Sequence, residues 1–264
     1  MKELLSIEWL KLKSYRTFWI LTGFFALLLP LWNYGISNGI VQLGGGKGGI
    51  NLFSQAYSFS YVWENLGFWS SIFVVFLSIL VIIITTNEYQ FRTNRQNVID
   101  GWSRLQFYHA KWYIVFVLSL LTTAYVFLVG FVFGAVNGSI SDFPGHIIKL
   151  FYVFVLSLNY YAFSLLLSIF FKRSGITIGI FFLYSMIIES FLKFLINWKL
   201  DFHAGDFLPL QCSDELLPFP ILDIVKALAK IEASPSPLPY VIASFVWIAI
   251  YYFVGRSKLL KSDW

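Results

Sequence analysis

Residues 71–86 read SIFVVFLSILVIIITT and carry no charge, whereas residues 87–96, NEYQFRTNRQ, carry two arginines, a glutamate and four side-chain amides. An uncharged apolar run that starts near residue 67 is long enough, as a helix, to cross about 30 Å of hydrocarbon. The abrupt change at Asn87 indicates where the chain leaves the membrane. We therefore predict a membrane-spanning helix over residues 67–86, followed by a polar segment at the membrane surface.

The composition of the whole chain is typical of a membrane protein. Only 12% of its 264 residues are charged and its mean hydropathy is +0.71, whereas soluble domains carry about a quarter charged residues. Cys212 is the only cysteine, which excludes an internal disulfide and a CxxC-type metal site. Because no block of domain size has a soluble composition, residues 1–264 are predicted to form one membrane domain.

Six stretches are long and apolar enough to span the membrane, which predicts an all-α integral membrane fold. The predicted spans are residues 17–34, 67–86, 112–136, 147–171, 174–197 and 239–255. The first stretch follows basic residues, as in a signal peptide, but it lacks a small-x-small cleavage site and is predicted to be a retained span. Before it, residues 2–14 are predicted to form a helix in the membrane interface, with Leu5, Trp9 and Leu12 in one stripe.

The positions of the basic residues predict the orientation of the chain. An even number of spans places both termini on one side, and cytoplasmic segments are enriched in Lys and Arg. With cytoplasmic termini, the inner segments hold 13 of the 19 basic residues: Lys2, Lys11, Lys13, Arg16, Arg92, Arg95, Arg104, Lys111, Lys172, Arg173, Arg256, Lys258 and Lys261. We therefore predict a multi-pass membrane protein with both termini on the cytoplasmic side.

Several classes of site are not expected. Residues 44–49, GGGKGG, lack the order and the Ser or Thr of a phosphate-binding P-loop, and they fall on the predicted outer side. The three histidines, His109, His146 and His203, are isolated, so no metal site is predicted. The net charge of +5 comes from residues at the ends of spans, which argues against a nucleic-acid partner.

Helix signals recur inside the polar segment between spans 2 and 3. Thr93 with Gln96 has the form of a capping box, and Gly101 can supply a left-handed helix stop. Ser103 with Gln106 repeats the box and would open the helix of the third span. The pattern predicts a short helix over residues 94–100, a sharp turn and a new helix. This short helix would either anchor the inner face or dock on a protein partner, which its dense polar side chains favour.

This segment resembles the region between the second and third spans in membrane subunits of type 2 ABC exporters. The matching positions are Glu88, Thr93, Arg95, Arg104 and Lys111. Residues 7–19, IEWLKLKSYRTFW, are similar to the start of the same family, with Glu8 and a basic cluster before the first span. The chain departs from the family at residues 100–102, where many members have a proline-containing turn.

The resemblance implies a six-span exporter subunit of the bacterial cytoplasmic membrane. It would have a cytoplasmic N-terminal interfacial helix and a cytoplasmic coupling helix that sits in a separate ATPase subunit. Two ATPase copies would carry the ATP and Mg²⁺, this chain would bind no cofactor, and the second membrane subunit would be identical or homologous. The residues expected at the coupling site are Glu88, Arg92, Thr93, Arg95, Gln96, Val98, Ile99 and Asp100. The alternative interpretation is a six-span membrane enzyme or a non-transporting signalling or immunity protein.

The outer segment over residues 198–238 is rich in proline and acidic residues, and short helices are predicted in it before the sixth span, with helical periodicity over 221–231. Its charge fits either reception of a cationic peptide or simple avoidance of outer positive charge. Cys212 is predicted to lie on this outer side. Within the fifth span, Glu189 and Lys193 stand one helical turn apart, which predicts an intramembrane ion pair.

Overall fold

The structure is a computed structural model, and it describes residues 2–38, 57–59, 61–99, 101–139, 142–200, 203–219 and 236–261. These residues form helices and turns and contain no strand. The helices are α1 (Lys2–Lys13), α2 (Arg16–Ser37), α3 (Val62–Gln90), α4 (Thr93–Ile99), α5 (Arg104–Asn137), α6 (Ile148–Phe171), α7 (Ser174–Phe182), α8 (Glu189–Lys199), α9 (Gln211–Asp214) and α10 (Leu238–Lys261).

The predicted all-α membrane fold is confirmed. Six helical segments of the described chain are long and apolar enough to cross a membrane, and each contains or closely overlaps one predicted span. The fifth is built from α7, a π-helical turn at Leu183–Ile188 and α8. Several helices extend beyond the apolar runs, because polar residues at a helix end can continue the backbone hydrogen bonding outside the hydrocarbon.

The centre of the bundle is α6, which packs against α3, α5 and α10. In the most apolar 18-residue stretch of α6, 78% of the residues are buried within the chain. In the corresponding stretch of the fifth span, 17% are buried. A helix that is apolar on all sides is suited either to lipid or to a protein interior. The central position of α6 therefore comes from tertiary packing, whereas most of the apolar surface of the fifth span is not covered by the rest of this chain.

The bundle has two faces, which we name by their contents. The N-terminal face carries α1, α4, residues 172–173 and the end of α10, and Arg104 Nη1 donates to Leu260 O there at 3.0 Å. The far face carries residues 203–219, of which Ala204–Phe207 forms a 3₁₀ turn. Short helices are thus present in the described part of the outer segment. The helix predicted over 221–231 lies outside the described residues.

The segment at the far face is folded down onto the bundle. Asn159 Nδ2 on α6 donates to Pro209 O at 2.7 Å, and Trp247 Nε1 on α10 donates to Phe207 O at 2.9 Å. Cys212 belongs to this segment, and its exposed fraction is 0%. Although Cys212 belongs to a polar, proline-rich segment, its thiol lies in the protein interior rather than on an accessible outer surface.

Candidate functional site

Four charged side chains from three helices meet at the N-terminal face. Lys111 Nζ of α5 lies 2.8 Å from Glu8 Oε2 of α1 and 2.7 Å from Glu88 Oε1 of α3. Lys11 Nζ lies 3.2 Å from Glu8 Oε1 and 3.1 Å from Glu88 Oε1. We call Glu8, Lys11, Glu88 and Lys111 the charge quartet. It holds two cations and two anions, each of which contacts both ions of the opposite sign.

The charge quartet is largely shielded from solvent. Lys111 is only 2% exposed, both glutamates are buried, and Lys11 is the most exposed member, with 35% of its side chain accessible. An ion removed from water without a partner costs several kcal/mol, so burial of these groups requires the balanced arrangement that is present. Burial by itself raises the pKa of Glu8, but the charges and hydrogen bonds of Lys111 and Lys11 outweigh it and lower that pKa. Glu8 is therefore ionised at neutral pH.

Local structure explains why these residues meet. Glu8 and Lys11 are three residues apart on α1 and so lie on one helical face, and α1 packs against α5. Glu88 stands near the end of α3 and Lys111 near the start of α5. The chain reverses through α4 between those two positions and brings them side by side. The sequence shows each residue beside a predicted membrane boundary, but the pairing depends on which helix ends become neighbours.

The short helix α4 begins one residue earlier in the chain than predicted, at Thr93 instead of residue 94. Arg92 has a left-handed backbone, with φ +58°, and α4 begins directly after it at Thr93. The predicted Thr93–Gln96 capping box is not formed, because Thr93 is already helical and its hydroxyl donates to Glu88 O at 3.4 Å. The Gln96 amide instead donates to Arg92 O at 3.5 Å.

The end of α4 and the start of α5 form as predicted. Gly101 has φ +100°, and the Trp102 amide donates to Asn97 O at 2.9 Å, which is the long bond of a Schellman motif. Ser103 Oγ accepts from the Gln106 amide at 3.1 Å, and Gln106 Oε1 accepts from the Ser103 amide at 2.8 Å. This complete capping box begins α5 and determines where Lys111 lies on it.

The predicted coupling residues occupy different environments. Arg92, Thr93, Arg95 and Gln96 are exposed, and Ile99 has an exposed fraction of 84%. Glu88 is buried and pairs with Lys111 and Lys11 rather than with Arg92, which follows it by one helical turn. The side chain of Val98 and the whole of Asp100 lie outside the described residues. The described part of α4 thus presents basic, amide and apolar groups to the surroundings.

The predicted pairing of Glu189 with Lys193 is also wrong, because the segment above them offers closer partners to both side chains. Glu189 Oε1 accepts from the backbone amides of Leu210 and Gln211 at 2.6 and 3.2 Å. Lys193 forms an ion pair with Glu215 and a second with Asp206 at 3.2 Å. The structure therefore uses both residues to attach the outer segment to the fifth span.

Among the described residues, no group of three or more His, Cys, Asp and Glu side chains is placed to hold a metal ion. His109, one of the isolated histidines, stacks on Tyr252 and makes a 3.0 Å hydrogen bond with its hydroxyl. At the N-terminal face, the charge quartet joins α1, α3 and α5.

Comparison with known proteins supports the membrane fold. The profile of a family described as ABC-2 family transporter protein matches residues 4–188, which include α1, the charge quartet, α4 and most of the first five spans. No curated protein matches the chain. Since the family profile covers well over half of the sequence, the chain belongs to the ABC-2 transporter family and is a multi-pass membrane permease of the ABC type.

Proposed function

We propose that this permease is the membrane subunit of an ATP-driven exporter and that α4 is its coupling helix. A separate ATPase subunit, in two copies, would carry the ATP and Mg²⁺ and would receive α4 in a surface cleft. The second membrane subunit would be an identical or homologous chain. The substrate class is left open by this proposal and includes peptides, lipids, drugs and polysaccharides.

The observation that carries the proposal is the exposure of α4 beyond the ends of α3 and α5. Ile99 is almost fully exposed, and Arg95 and Gln96 lie beside it on the surface. A helix of seven residues is too short to be stable in water without support. Here the Gly101 turn and the flanking helices supply that support. A rigid projection with an apolar tip and basic neighbours is suited to a protein cleft.

The charge quartet supplies the mechanical link that such a machine needs. Glu88 lies just before α4 and Lys111 follows it, and both are joined to α1 through Glu8 and Lys11. Separating these buried charges costs several kcal/mol, so a displacement of α4 moves α1, α3 and α5 together. Closure of the ATPase pair on ATP would thereby rearrange the spans around the substrate path.

The proposed orientation follows from charge. The helix α1, the end of α10 and the basic residues near α4 lie at the N-terminal face, and the positive-inside rule assigns that face to the cytoplasm. An ATPase at this face has access to cellular ATP. We therefore place the protein in the bacterial cytoplasmic membrane with both termini inside.

The test is the double variant Arg95→Asp/Ile99→Asp in the full-length chain. It introduces two negative charges at the proposed docking surface while leaving the charge quartet and α4 flanks intact. Unpaired charge in an interface costs several kcal/mol, so we expect at least a hundredfold weaker retention of the ATPase subunit. Co-purification of the ATPase and substrate-stimulated ATP hydrolysis are measured at equal amounts of protein in the membrane.

The matched control is Leu260→Asp/Lys261→Asp. It makes the same kinds of substitution at exposed positions of the same face, at the end of α10. The control is expected to retain the ATPase and its stimulation. Normal assembly and transport by the Arg95/Ile99 variant would reduce α4 to a surface anchor. Failure of any ATPase to co-purify with the unmodified chain would favour the alternative of a membrane enzyme or signalling protein.

A further inference from the structure

A cleft of about 680 Å³ lies beside α4 at the N-terminal face. Its volume is within the range of ligand-binding sites, roughly 300–1,000 Å³. One wall comes from the end of α3 and from α4, and the other comes from the turn between α6 and α7. The residues that line it are Tyr89, Gln90, Arg92, Asn94, Arg95, Phe171, Lys172, Arg173, Ser174, Gly175 and Ile176.

The lining is strongly basic. Four cations, Arg92, Arg95, Lys172 and Arg173, surround the cleft, and no carboxylate belongs to its described lining. Within the described part of the chain, the three arginines form no ion pair, while Lys172 Nζ lies 5.4 Å from the centre of the Tyr89 ring. Like charges gathered in one cleft repel one another, so an anion bound there would relieve that repulsion.

Neutral donors point to the same kind of ligand. The helix α7 starts at Ser174, and its first backbone bond is donated by Thr177 to Arg173 O at 3.0 Å, which leaves the amides of the first turn available. Independently, Asn94 lines the cleft from α4 with an exposed fraction of only 4%. Its side-chain amide is a further neutral donor in that lining.

The position of the cleft distinguishes between sources of the anion. Phe171 is the last residue of α6, and Ser174–Ile176 is the first turn of the fifth span, so the cleft lies at the level of the lipid headgroups. Exposed apolar side chains adjoin it, namely Phe170, Phe171 and Ile176. On α7, a Cβ atom added at Gly175 or Gly179 would have no neighbour from another part of the described chain within 4 Å, so this helix surface is open. A phosphate with acyl chains fits this combination better than a soluble anion or an acidic protein segment.

We propose that this cleft binds the phosphate group of an anionic lipid, with Arg92, Arg173, Asn94 and the start of α7 as its ligands and the surface of the fifth span against the acyl chains. Basic pockets between membrane-spanning helices are a recognised form of headgroup site. Guanidinium groups suit it because they bind phosphate through two parallel hydrogen bonds. The lipid would join α4 to the fifth span, which the charge quartet does not contact. This inference does not depend on ATPase coupling.

The experiment is native mass spectrometry of the purified full-length protein with any subunits that accompany it. The probe is an equimolar mixture of phosphatidylglycerol and phosphatidylcholine. We expect selective retention of phosphatidylglycerol, and at least a tenfold loss of its affinity in Arg92→Gln/Arg173→Gln. Arg92→Lys/Arg173→Lys should retain most of the selectivity, because it keeps the charge and loses only the bidentate geometry. Arg95 is left unchanged, since it also belongs to the proposed docking surface.

The control Lys13→Gln/Lys261→Gln removes the same charge from the same face outside the cleft and should bind phosphatidylglycerol normally. Inorganic phosphate at millimolar concentration should displace no more lipid than sodium chloride of equal ionic strength. Unchanged lipid binding in the Arg92/Arg173 variant would overturn the proposal, as would equal loss in the control. Displacement by inorganic phosphate would assign the cleft to a free anion. Loss of the ATPase with lipid retained would assign it to a protein.

Discussion

Lys111 Nζ lies 2.7 Å from Glu88 Oε1, although the whole of α4 and its two turns separate these residues along the chain. The contact closes the base of the α4 hairpin inside the protein. It also makes Lys111 the centre of the charge quartet, since the same ammonium group binds Glu8 on α1. Removal of one member should therefore affect three helices at once.

The first prediction concerns this central lysine. Lys111→Met leaves Glu8 and Glu88 buried with Lys11 as their only cation, and it should destabilise the protein by about 3–5 kcal/mol. Lys111→Met/Glu88→Gln removes one charge of each sign and should cost less than the single change. Thermal unfolding in detergent measures both variants, with the exposed Lys13→Met as control. A double variant less stable than Lys111→Met would contradict the account of a balanced cluster.

The second prediction concerns pH. The pKa of Glu8 is lowered from its usual 4.5 in the folded protein. A depressed carboxylate pKa contributes stability above the unfolded value, and this contribution is lost as pH falls through the folded value. The stability difference between the natural chain and Glu8→Gln should therefore be constant near neutrality and should shrink below about pH 4.5. Unfolding of both proteins across this range measures it, and a difference that grows on acidification would contradict the sign.

The third prediction concerns the single thiol. Burial raises the pKa of Cys212 to about 12, and its side chain is enclosed, so an impermeant maleimide should not label it in intact cells. His203→Cys in a Cys212→Ser background is the matched positive control, because the His203 side chain is 81% exposed in the same segment. We expect rapid labelling of the control and labelling of Cys212 only after denaturation. Equal rates for the two thiols would show that the outer segment does not cover Cys212.

The fourth prediction concerns the ion pairs of Lys193. Since Lys193 contacts Glu215 and Asp206 rather than Glu189, Lys193→Met should be relieved by Glu215→Gln and not by Glu189→Gln. The effect is expected to be about 1 kcal/mol, because these groups are partly exposed and solvent screens them. Thermal unfolding of the two double variants decides the matter. Better rescue by Glu189→Gln would show that Lys193 pairs with Glu189 on the same helix and would contradict this prediction.

The same geometry predicts unequal effects of two changes at Glu189. Glu189→Gln keeps an oxygen that can accept hydrogen bonds from the amides of Leu210 and Gln211, so its effect on stability should be small. Glu189→Leu removes the acceptor and leaves the two backbone amides without a hydrogen-bond partner. This change should lower the free energy of unfolding by about 1–3 kcal/mol. Unfolding temperatures of the two variants test this, and equal destabilisation would mean that the charge, not the hydrogen bonding, matters there.

Much of the architecture could be predicted from local sequence. The hydrocarbon core demands apolar helices of a minimum length, so the six spans are legible as continuous runs. The stop at Gly101 and the box of Ser103 and Gln106 are likewise local, because a backbone angle and two reciprocal hydrogen bonds involve only neighbouring residues. The Thr93 box failed for a related reason: the preceding Arg92 turn had already started the helix.

Close helix packing shows where local patterns stop being informative. The motif Gly130-x-x-x-Gly134 fits either a contact between subunits or one within the chain. In the structure a Cβ atom at Gly130 would lie 2.6 Å from Trp63 Cζ3, and one at Gly134 would lie 2.5 Å from Phe59 Cε1. These glycines therefore make room for aromatic rings of the same chain. The spacing is identical in both cases, and only the neighbouring surface distinguishes them.

By itself the sequence determined that this protein has six membrane-spanning helices and a short polar helix between spans 2 and 3, because membrane insertion and helix capping depend on runs of adjacent residues. Only the tertiary structure decided that Glu88 pairs with Lys111 and Lys11 instead of Arg92. It also decided that Lys193 pairs with Glu215 and Asp206 instead of Glu189, and that Cys212 is buried. A buried charge takes whichever partner the packed helices bring within about 3 Å, and that distance is a property of the assembled bundle rather than of residue spacing.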